Sequence, residues 1–425
     1  MRLIKIALIA LAAIAVWIVL VAAGTRDGWW RKLPAPHGDN AAFLAAAKAR
    51  YAADSKGNIA LTLVAHGQVA GTFFASHGRA VDGQSLFQVA SMSKWLTAWG
   101  VMRLVESGRI DLDAPVSRYL HRWKLPPSAF DNDGVTVRRL LSHTAGLTDG
   151  LGFKGFPPGV TPPAIEAELT HAADAMPFTS GYVRVGMAPG STWQYSGGGF
   201  LLLQLLIEEV SGRTFNDYMR GTVLTPLGMT ASTFVDPDPA HLADFYDASG
   251  ARAIHYKFTA LAAASLYTST EDLTRFLQAQ VTGPHGEPAG RGVLRPQTIE
   301  RMRLVQAKVY GIPLWGLGDI LYAPNNAGSF IVGHDGNNFP AINTTARVDP
   351  ATGNGIIVLE TGNGTLASRI GSDWTFWQTG YVDLPTIAEE ARGTLIVLAG
   401  GTAAIVLAAV VIGWRGRRKP QAPPA

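Results

Sequence analysis

The chain has 425 residues, 36 of them Lys or Arg against 32 Asp or Glu, and 47% of it is hydrophobic. That balance excludes a disordered or fibrous polymer, and the absence of cysteine excludes disulfides, thiol nucleophiles and thiolate metal sites. The net charge of +4 is not a nucleic-acid signature. Arg2, Lys5, Arg26, Arg31, Lys32, Arg415, Arg417, Arg418 and Lys419 lie in the flanks, with Asp27 the one acid there; the remainder keeps 27 basic and 31 acidic residues, a net of −4, and shows no basic stripe interleaved with aromatics.

In chain order, the first element is an unbroken apolar run from Ile6 to Ala23, close to the roughly 20 residues that cross a bilayer as helix. Arg2 and Lys5 before it put the N-terminus inside. Val21-Ala22-Ala23 also fits a signal-peptide cleavage site, but the run is longer than a usual signal core, which favours an uncleaved anchor over residues 1–24. Next comes an Ala-rich helix from Ala41 to Ala53. A strand pair follows, Ile59–Val64 and Val69–Phe74, turning at His66-Gly67. Phe87 to Ala90 leads into a helix from about Ser91 to Ser107, with Trp95, Trp99, Met102 and Leu104 at helical spacing and Gly108 as its cap.

From Asp111 to Pro189 the chain is rich in Pro and Gly, with one helix at Val137–Leu141. Helices are expected at Phe200–Val210 and Thr270–Gln280. Strands are expected at Ser329–Gly333, Ala341–Val348 and Gly355–Glu360, with turns at Asp335-Gly336 and Asp349–Asn354. Strands at both ends with helices between predict an α/β fold of the α+β kind: one antiparallel sheet flanked by helices, with a helical insertion. Trp374, Trp377 and Tyr381 share one helical face, fit either for a membrane interface or for packing on the sheet. A linker, 381–393, then leads to a second apolar run, Thr394–Trp414, and to a basic tail, 415–425, that reads as cytoplasmic. The middle would then lie outside an inner membrane, in the periplasm.

Ser91-Met92-Ser93-Lys94 carries the first chemical signal. Residues i and i+3 of a helix share a face, so Lys94 can reach the Ser91 hydroxyl and, if neutral, take its proton. The Ser91 N–H, unpaired at a helix start, could face an oxyanion. Alone, the spacing is also that of a solvated helix with an N-cap serine. Further runs change its weight: Leu140-Leu-Ser-His-Thr-Ala-Gly-Leu147, Pro189-Gly-Ser-Thr-Trp-Gln-Tyr-Ser-Gly197, Thr222-Val-Leu-Thr-Pro-Leu-Gly-Met229 and Val332-Gly-His-Asp-Gly336. In this order they resemble the serine β-lactamase and penicillin-binding-protein superfamily, in the class C-like branch that includes esterases and D-amino peptidases. The resemblance spans roughly Ala42 to Gly364.

The resemblance implies a hydrolase domain over residues 25–380, with Ser91 as acylated nucleophile, Lys94 as its base and Tyr195 as proton relay. His334-Asp335-Gly336 would be the third motif, and the amides of Ser91 and Asn337 the oxyanion donors. His143 reads as structural. No cofactor or metal is implied, and the scattered histidines show no paired ligand spacing. Two departures bear on substrate. Gly197 stands where β-lactamases have asparagine, and His334, with Asp335 next to it, stands where they have lysine and threonine. An unperturbed histidine is mostly neutral at pH 7, and an aspartate aimed into the site would repel a carboxylate. Both point to ester or amide substrates, D-amino-acid peptides or cell-wall fragments among them. The alternatives are a true β-lactamase or D-alanyl-D-alanine carboxypeptidase, and a non-catalytic protein that binds cell-wall material.

Overall fold

The computed structural model describes residues 2–415 apart from 151 and 178. Helix α1 (Arg2–Arg26) leads through a short loop to α2 (Asn40–Asp54). The Asp39 carboxylate caps α2 by accepting from the Ala42 N–H at 2.9 Å. Strands β1 (Ile59–Ala65) and β2 (Gln68–Ala75) form a hairpin. Its turn residues His66 and Gly67 both hold positive φ, 50° and 74°, the handedness that suits twisted strands. Then come α3 (Ser93–Glu106), α4 (Val137–Leu141), α5 (Gly197–Ser211) and α6 (Thr270–Ala279). The ladder resumes with β3 (Ala307–Val309), β4 (Ile312–Trp315), β5 (Ile320–Pro324), β6 (Phe330–Asn338), β7 (Ile342–Val348) and β8 (Gly355–Thr361), and α7 (Leu366–Thr379) and α8 (Leu384–Arg415) close the chain.

All eight strands join one antiparallel sheet in the order β2-β1-β8-β7-β6-β5-β4-β3. The first and last strands of the domain thus meet, with Leu61 opposite Val358. Both faces of the central strands are covered. Ile59, Leu61, Ile356 and Val358 pack against Phe43 of α2 and Ile370 and Trp374 of α7. Ala60, Ile357, Leu359 and Ala346 pack against the helical region. Double coverage explains why these strands read as continuous apolar runs and not as alternation.

Several expectations need correction. No turn occurs at Asp335-Gly336; β6 continues to Asn338, because that stretch pairs with β7 residue by residue, from Val332↔Val348 to Asn338↔Ile342. Strands β3 to β5 were not foreseen. They are short, interrupted by Gly311 and Pro313, and shift register at Ala307/Lys308 and Ile331/Val332, so no clean period marks them. The linker expected over 381–393 is mostly helix. α8 begins at Leu384, where Asp383 accepts from the Thr386 N–H at 3.0 Å and Pro385 falls in the tolerant first turn. Of the two settings open to Trp374 and Trp377, packing on the sheet is the one observed: both lie in the core, and Trp377 stacks on Phe43 at 4.8 Å and donates to the Pro36 carbonyl at 2.8 Å.

Helices α1 and α8 are each long and apolar enough to cross a membrane, and they pack on each other. The Trp17 indole donates to the Leu398 carbonyl at 3.3 Å, over the bare Cα of Gly401. Their outward side chains, such as Ile9, Val19, Ile396 and Val410, are exposed. The domain is clasped to this hairpin where Arg31 pairs with Glu390 at 2.6 Å and the Val382 N–H donates to the Arg26 carbonyl at 2.9 Å. The basic tail after Arg415 lies outside the described residues.

One core acid makes stability depend on pH. Burial pushes the Glu360 carboxyl on β8 up to about 9, outweighing the Ser55 hydroxyl that donates to it at 2.9 Å and the Asn363 backbone N–H. A raised folded pKa means stability is full below the unfolded value of 4.5 and is lost as pH rises toward 9. Each pH unit in that window costs about 1.4 kcal/mol through this one group. Glu360→Gln is expected to flatten the fall of melting temperature between pH 5 and 9; an unchanged slope would remove Glu360 as its source.

Candidate active site

Ser91 sits in a tight turn, Ala90–Met92, immediately before α3, not inside the helix proper. Ala90 is held at φ 46°, a left-handed conformation that costs an L residue about 1 kcal/mol or more. Its surroundings over-determine it. The Val89 carbonyl accepts from Thr344 Oγ1 of β7 at 3.0 Å, and the Ala90 carbonyl accepts from Ser93 Oγ at 2.6 Å. Ser93 Oγ in turn accepts from the Leu266 N–H at 2.9 Å. The turn is therefore pinned to the sheet on one side and to the helical region on the other, and presents Ser91 half-buried between them.

Lys94 is buried, and its Nζ lies 3.1 Å from Ser91 Oγ. It also donates to the Ala263 carbonyl at 2.7 Å. The Tyr195 and Phe200 rings stand 5.1 and 5.6 Å from Nζ, which makes no ion pair among the described residues. Tyr195 is held from below. Its ring centroid is 4.4 Å from that of His143, whose Nδ1 accepts from the Ser196 N–H at 3.2 Å. Because Nδ1 accepts, the proton of this neutral ring is on Nε2. Ser196 caps α5, accepting from the Gly199 N–H at 2.8 Å and donating to Asp149 at 2.6 Å; Asp149 also takes the Gly198 N–H at 3.1 Å.

His334 is buried on the same face of the sheet as Ser91's turn. Its Nδ1 donates to the Asp335 carbonyl at 2.6 Å, which leaves Nε2 as a bare acceptor with no protein partner among the described residues. Burial, with the Lys94 ammonium adding to it, pushes the His334 pKa down to about 3, so the ring is neutral at physiological pH. Gly336 is next inward. A Cβ there would sit 2.0 Å from the Val89 carbonyl oxygen and 2.4 Å from Thr344 Oγ1, so only glycine lets β6 pass the Ser91 turn.

Asp335 is not in the site. Strand alternation turns it to the opposite face, where it accepts from Tyr322 OH at 2.7 Å and pairs with Arg347 at 3.2 Å. Asn337 is also on that face, exposed, its amide bonded to the Gly364 carbonyl. Its backbone lies on the part of β6 that runs beyond pairing with β5, which ends at Gly333↔Ile320. Gly197 is the first residue of α5 and brings no side chain. So Ser91, Lys94, Tyr195, His334 and Gly336 converge, and the Asp335 side chain does not. Two neighbours escaped sequence reading. Trp315 fills the space between Tyr195 at 5.9 Å and His334 at 5.5 Å, and Asp149 braces the α5 cap. Trp315 lies in an unforeseen strand; Asp149 follows the His143 run closely enough that its capping role could have been suspected.

The family model described as Beta-lactamase matches residues 45–375. The chain belongs to the Beta-lactamase family. Among curated relatives, penicillin-binding protein 4* of Bacillus subtilis (strain 168) is 31% identical over 156 residues, 36% of this chain and 31% of that protein. Esterase EstB of Burkholderia gladioli is 30% identical over 186 residues, 39% of this chain and 43% of the esterase. The chain thus spans less than half the length of either. In fold it matches the octameric penicillin-binding protein homologue from Pyrococcus abyssi at a TM-score of 0.61, with 24% identity over 78% of this chain and 76% of that one. A D-stereospecific amidohydrolase from Streptomyces sp. matches at 0.59, with 23% identity over 80% and 98%.

In this Beta-lactamase-family chain, a hydroxyl and an amine at hydrogen-bond distance form a pair able to generate a nucleophile whenever the amine is neutral. The brace beneath Tyr195 gives a direct expectation. Asp149→Ala strands the Ser196 hydroxyl and the Gly198 N–H, costing about 2 kcal/mol, and should lower both melting temperature and turnover. Wild-type melting by calorimetry would show the brace to be dispensable.

Proposed function

We propose that the chain is a membrane-held serine hydrolase acting through an acyl-enzyme on esters or amides. The carrying observation is the 3.1 Å contact between Ser91 Oγ and Lys94 Nζ, with the Tyr195 ring over the same amine. In this reading Lys94 enters as a neutral amine and takes the Ser91 proton as Oγ attacks the substrate carbonyl. The amides of Ser91 and Asn337 hold the oxyanion. Tyr195 passes the proton to the leaving group, and water, deprotonated through the same pair, then releases the acyl group from Ser91.

Substrate preference rests on His334. Neutral and buried, it offers an acceptor where a cation would be needed for a carboxylate. The supposed repulsion by Asp335 plays no part, since that side chain faces away. Neutral esters or amides, D-amino-acid derivatives and cell-wall fragments included, suit this site better than penicillins. The test uses membranes bearing wild type or Ser91→Ala, treated with a fluorescent fluorophosphonate or a fluorescent penicillin. Labelling of wild type alone, by the fluorophosphonate, is the expected result. Equal labelling by penicillin would return the β-lactamase or carboxypeptidase reading, and no labelling would leave a binding protein.

The membrane part of the proposal places α1 and α8 across an inner membrane with the domain outside it, as the flanking Arg and Lys residues suggest. The chain lacks cysteine, so single cysteines at Lys308 and at position 420 report topology directly. Impermeant maleimide should label the first in intact cells and not the second.

A further inference from the structure

Arg347 on β7 is wholly buried between the sheet and α7, and it is not idle. Its guanidinium lies 3.7 Å from the centre of the Tyr322 ring and donates to Asp335 at 3.2 Å, Thr345 Oγ1 at 3.1 Å and Thr375 Oγ1 at 3.0 Å. On its far side it pairs with Asp383, also wholly buried. Asp383 is the residue that starts α8: one carboxylate oxygen caps the Thr386 N–H at 3.0 Å, and the other takes the Ser372 hydroxyl at 2.7 Å. Gly371 leaves room for this chain, since a Cβ there would be 2.8 Å from Arg347 Nε.

The near end of the chain reaches the site. Asp335 grips Arg347 with its side chain while its carbonyl accepts from His334 Nδ1. The His334 ring therefore hangs on a peptide whose own side chain is held by the Tyr322 and Thr345 hydroxyls and by a guanidinium that the head of α8 grips in turn. Buried ion pairs of this kind are seldom worth more to stability than apolar packing of the same volume, so their use here calls for another role. Arg347 also has two acidic partners and no slack: moving Asp383 must move the guanidinium relative to Asp335, or break one pair.

We propose that Asp383 and Arg347 are positioning residues for His334, so that the seating of α8 sets the orientation of the third motif. The proposal rests on the serine-hydrolase reading for its catalytic consequence, though not for the coupling itself. A substrate group bound to His334 Nε2 would feel a shift of the ring directly, whereas Ser91, on the turn before α3, and Lys94, on α3, would feel it only through that turn's contacts with β6 and β7. The loss should therefore fall on kcat for substrates that use His334.

The test uses the full chain in lipid nanodiscs, with Asp383→Asn, Asp335→Asn and the double variant. Asparagine keeps the shape and the capping oxygen and removes the charge. Kinetics on the p-nitrophenyl ester of N-acetyl-D-alanine, whose amide N–H can donate to His334 Nε2, and nitrogen-15 NMR of labelled histidines, with His334→Gln to assign the ring, are read together. Each single variant is expected to lower kcat about tenfold with KM within twofold. The double variant should lose about tenfold and not a hundredfold, because both changes cut one chain. The His334 Nδ1 and Nε2 resonances should shift in Asp383→Asn. A folded Asp383→Asn with unchanged His334 resonances, or losses that multiply, would overturn the proposal. If wild type turns over no ester, the hydrolase reading falls and the resonances alone decide the coupling.

Discussion

Ser91→Ala is expected to lower turnover of an activated ester by at least about 10⁴-fold while leaving the melting temperature within a degree or two. The first part follows from covalent chemistry: without Oγ no acyl-enzyme forms, and what remains is binding and oxyanion polarisation. The second follows from the partners of the side chain. Ser91 Oγ is bonded to Lys94 Nζ, and the turn around it is held by Val89, Ser93 and Thr344, none of which uses that hydroxyl. Lys94→Ala should fall as far, and Lys94→Arg should not rescue it, because a guanidinium stays protonated and cannot take the serine proton. Initial rates with p-nitrophenyl esters, and intact mass after a slow substrate, measure both. Ser91→Ala retaining a tenth of wild-type rate would end the acyl-enzyme reading.

Gly336→Ala is the second large effect, and it should strike fold and activity together. The added methyl would lie 2.0 Å from the Val89 carbonyl oxygen and 2.4 Å from Thr344 Oγ1. Neither is the free end of a flexible side chain: one is backbone, and the other is fixed by its bond to that same carbonyl. Either β6 moves away or the Ser91 turn does. Overpacking of this kind costs about 1–3 kcal/mol. A displacement of the nucleophile by about 1 Å costs on the order of 10² in rate. Thermal melts and kcat on the same preparation check the pair. Loss of stability with wild-type kcat would show that the turn is not registered on β6.

The positions of Ser91, Lys94, Tyr195 and His334 in sequence were legible because each lies in a short run whose order is distinctive. Their convergence was not derivable from spacing. It depends on β6 and β7 lying beside the turn before α3, a contact between residues as far apart in number as Thr344 and Val89, at 255. The sheet was half legible. β1, β2, β7 and β8 are long and apolar, whereas β3 to β5 carry Pro, Gly and register shifts that erase any period. Asp335 was misjudged because sequence alone treated 335-336 as a turn; in a continuous strand the parity of the residue sends its carboxylate to Arg347. The long reach of Asp383 to Arg347 had no local signal either, since an acid before an apolar run also fits a simple helix cap.

The paired terminal helices have a mechanical consequence. A domain on one flexible stalk can spin and bow, and sweeps a hemisphere of positions. This one is gripped at both ends: Gly28 lies under the Phe376 ring, His37 Nδ1 is 3.0 Å from the Trp377 carbonyl, and Arg31 reaches across to Glu390. With α1 and α8 across a bilayer, as proposed, two adjacent attachment points would remove rotation about the tether axis and most of the tilt. In a bilayer, the mouth of the site would ride at one altitude and one bearing. Its catch would then be set by how far a substrate's reactive bond stands above the lipid, a ruler built from the chain's own ends.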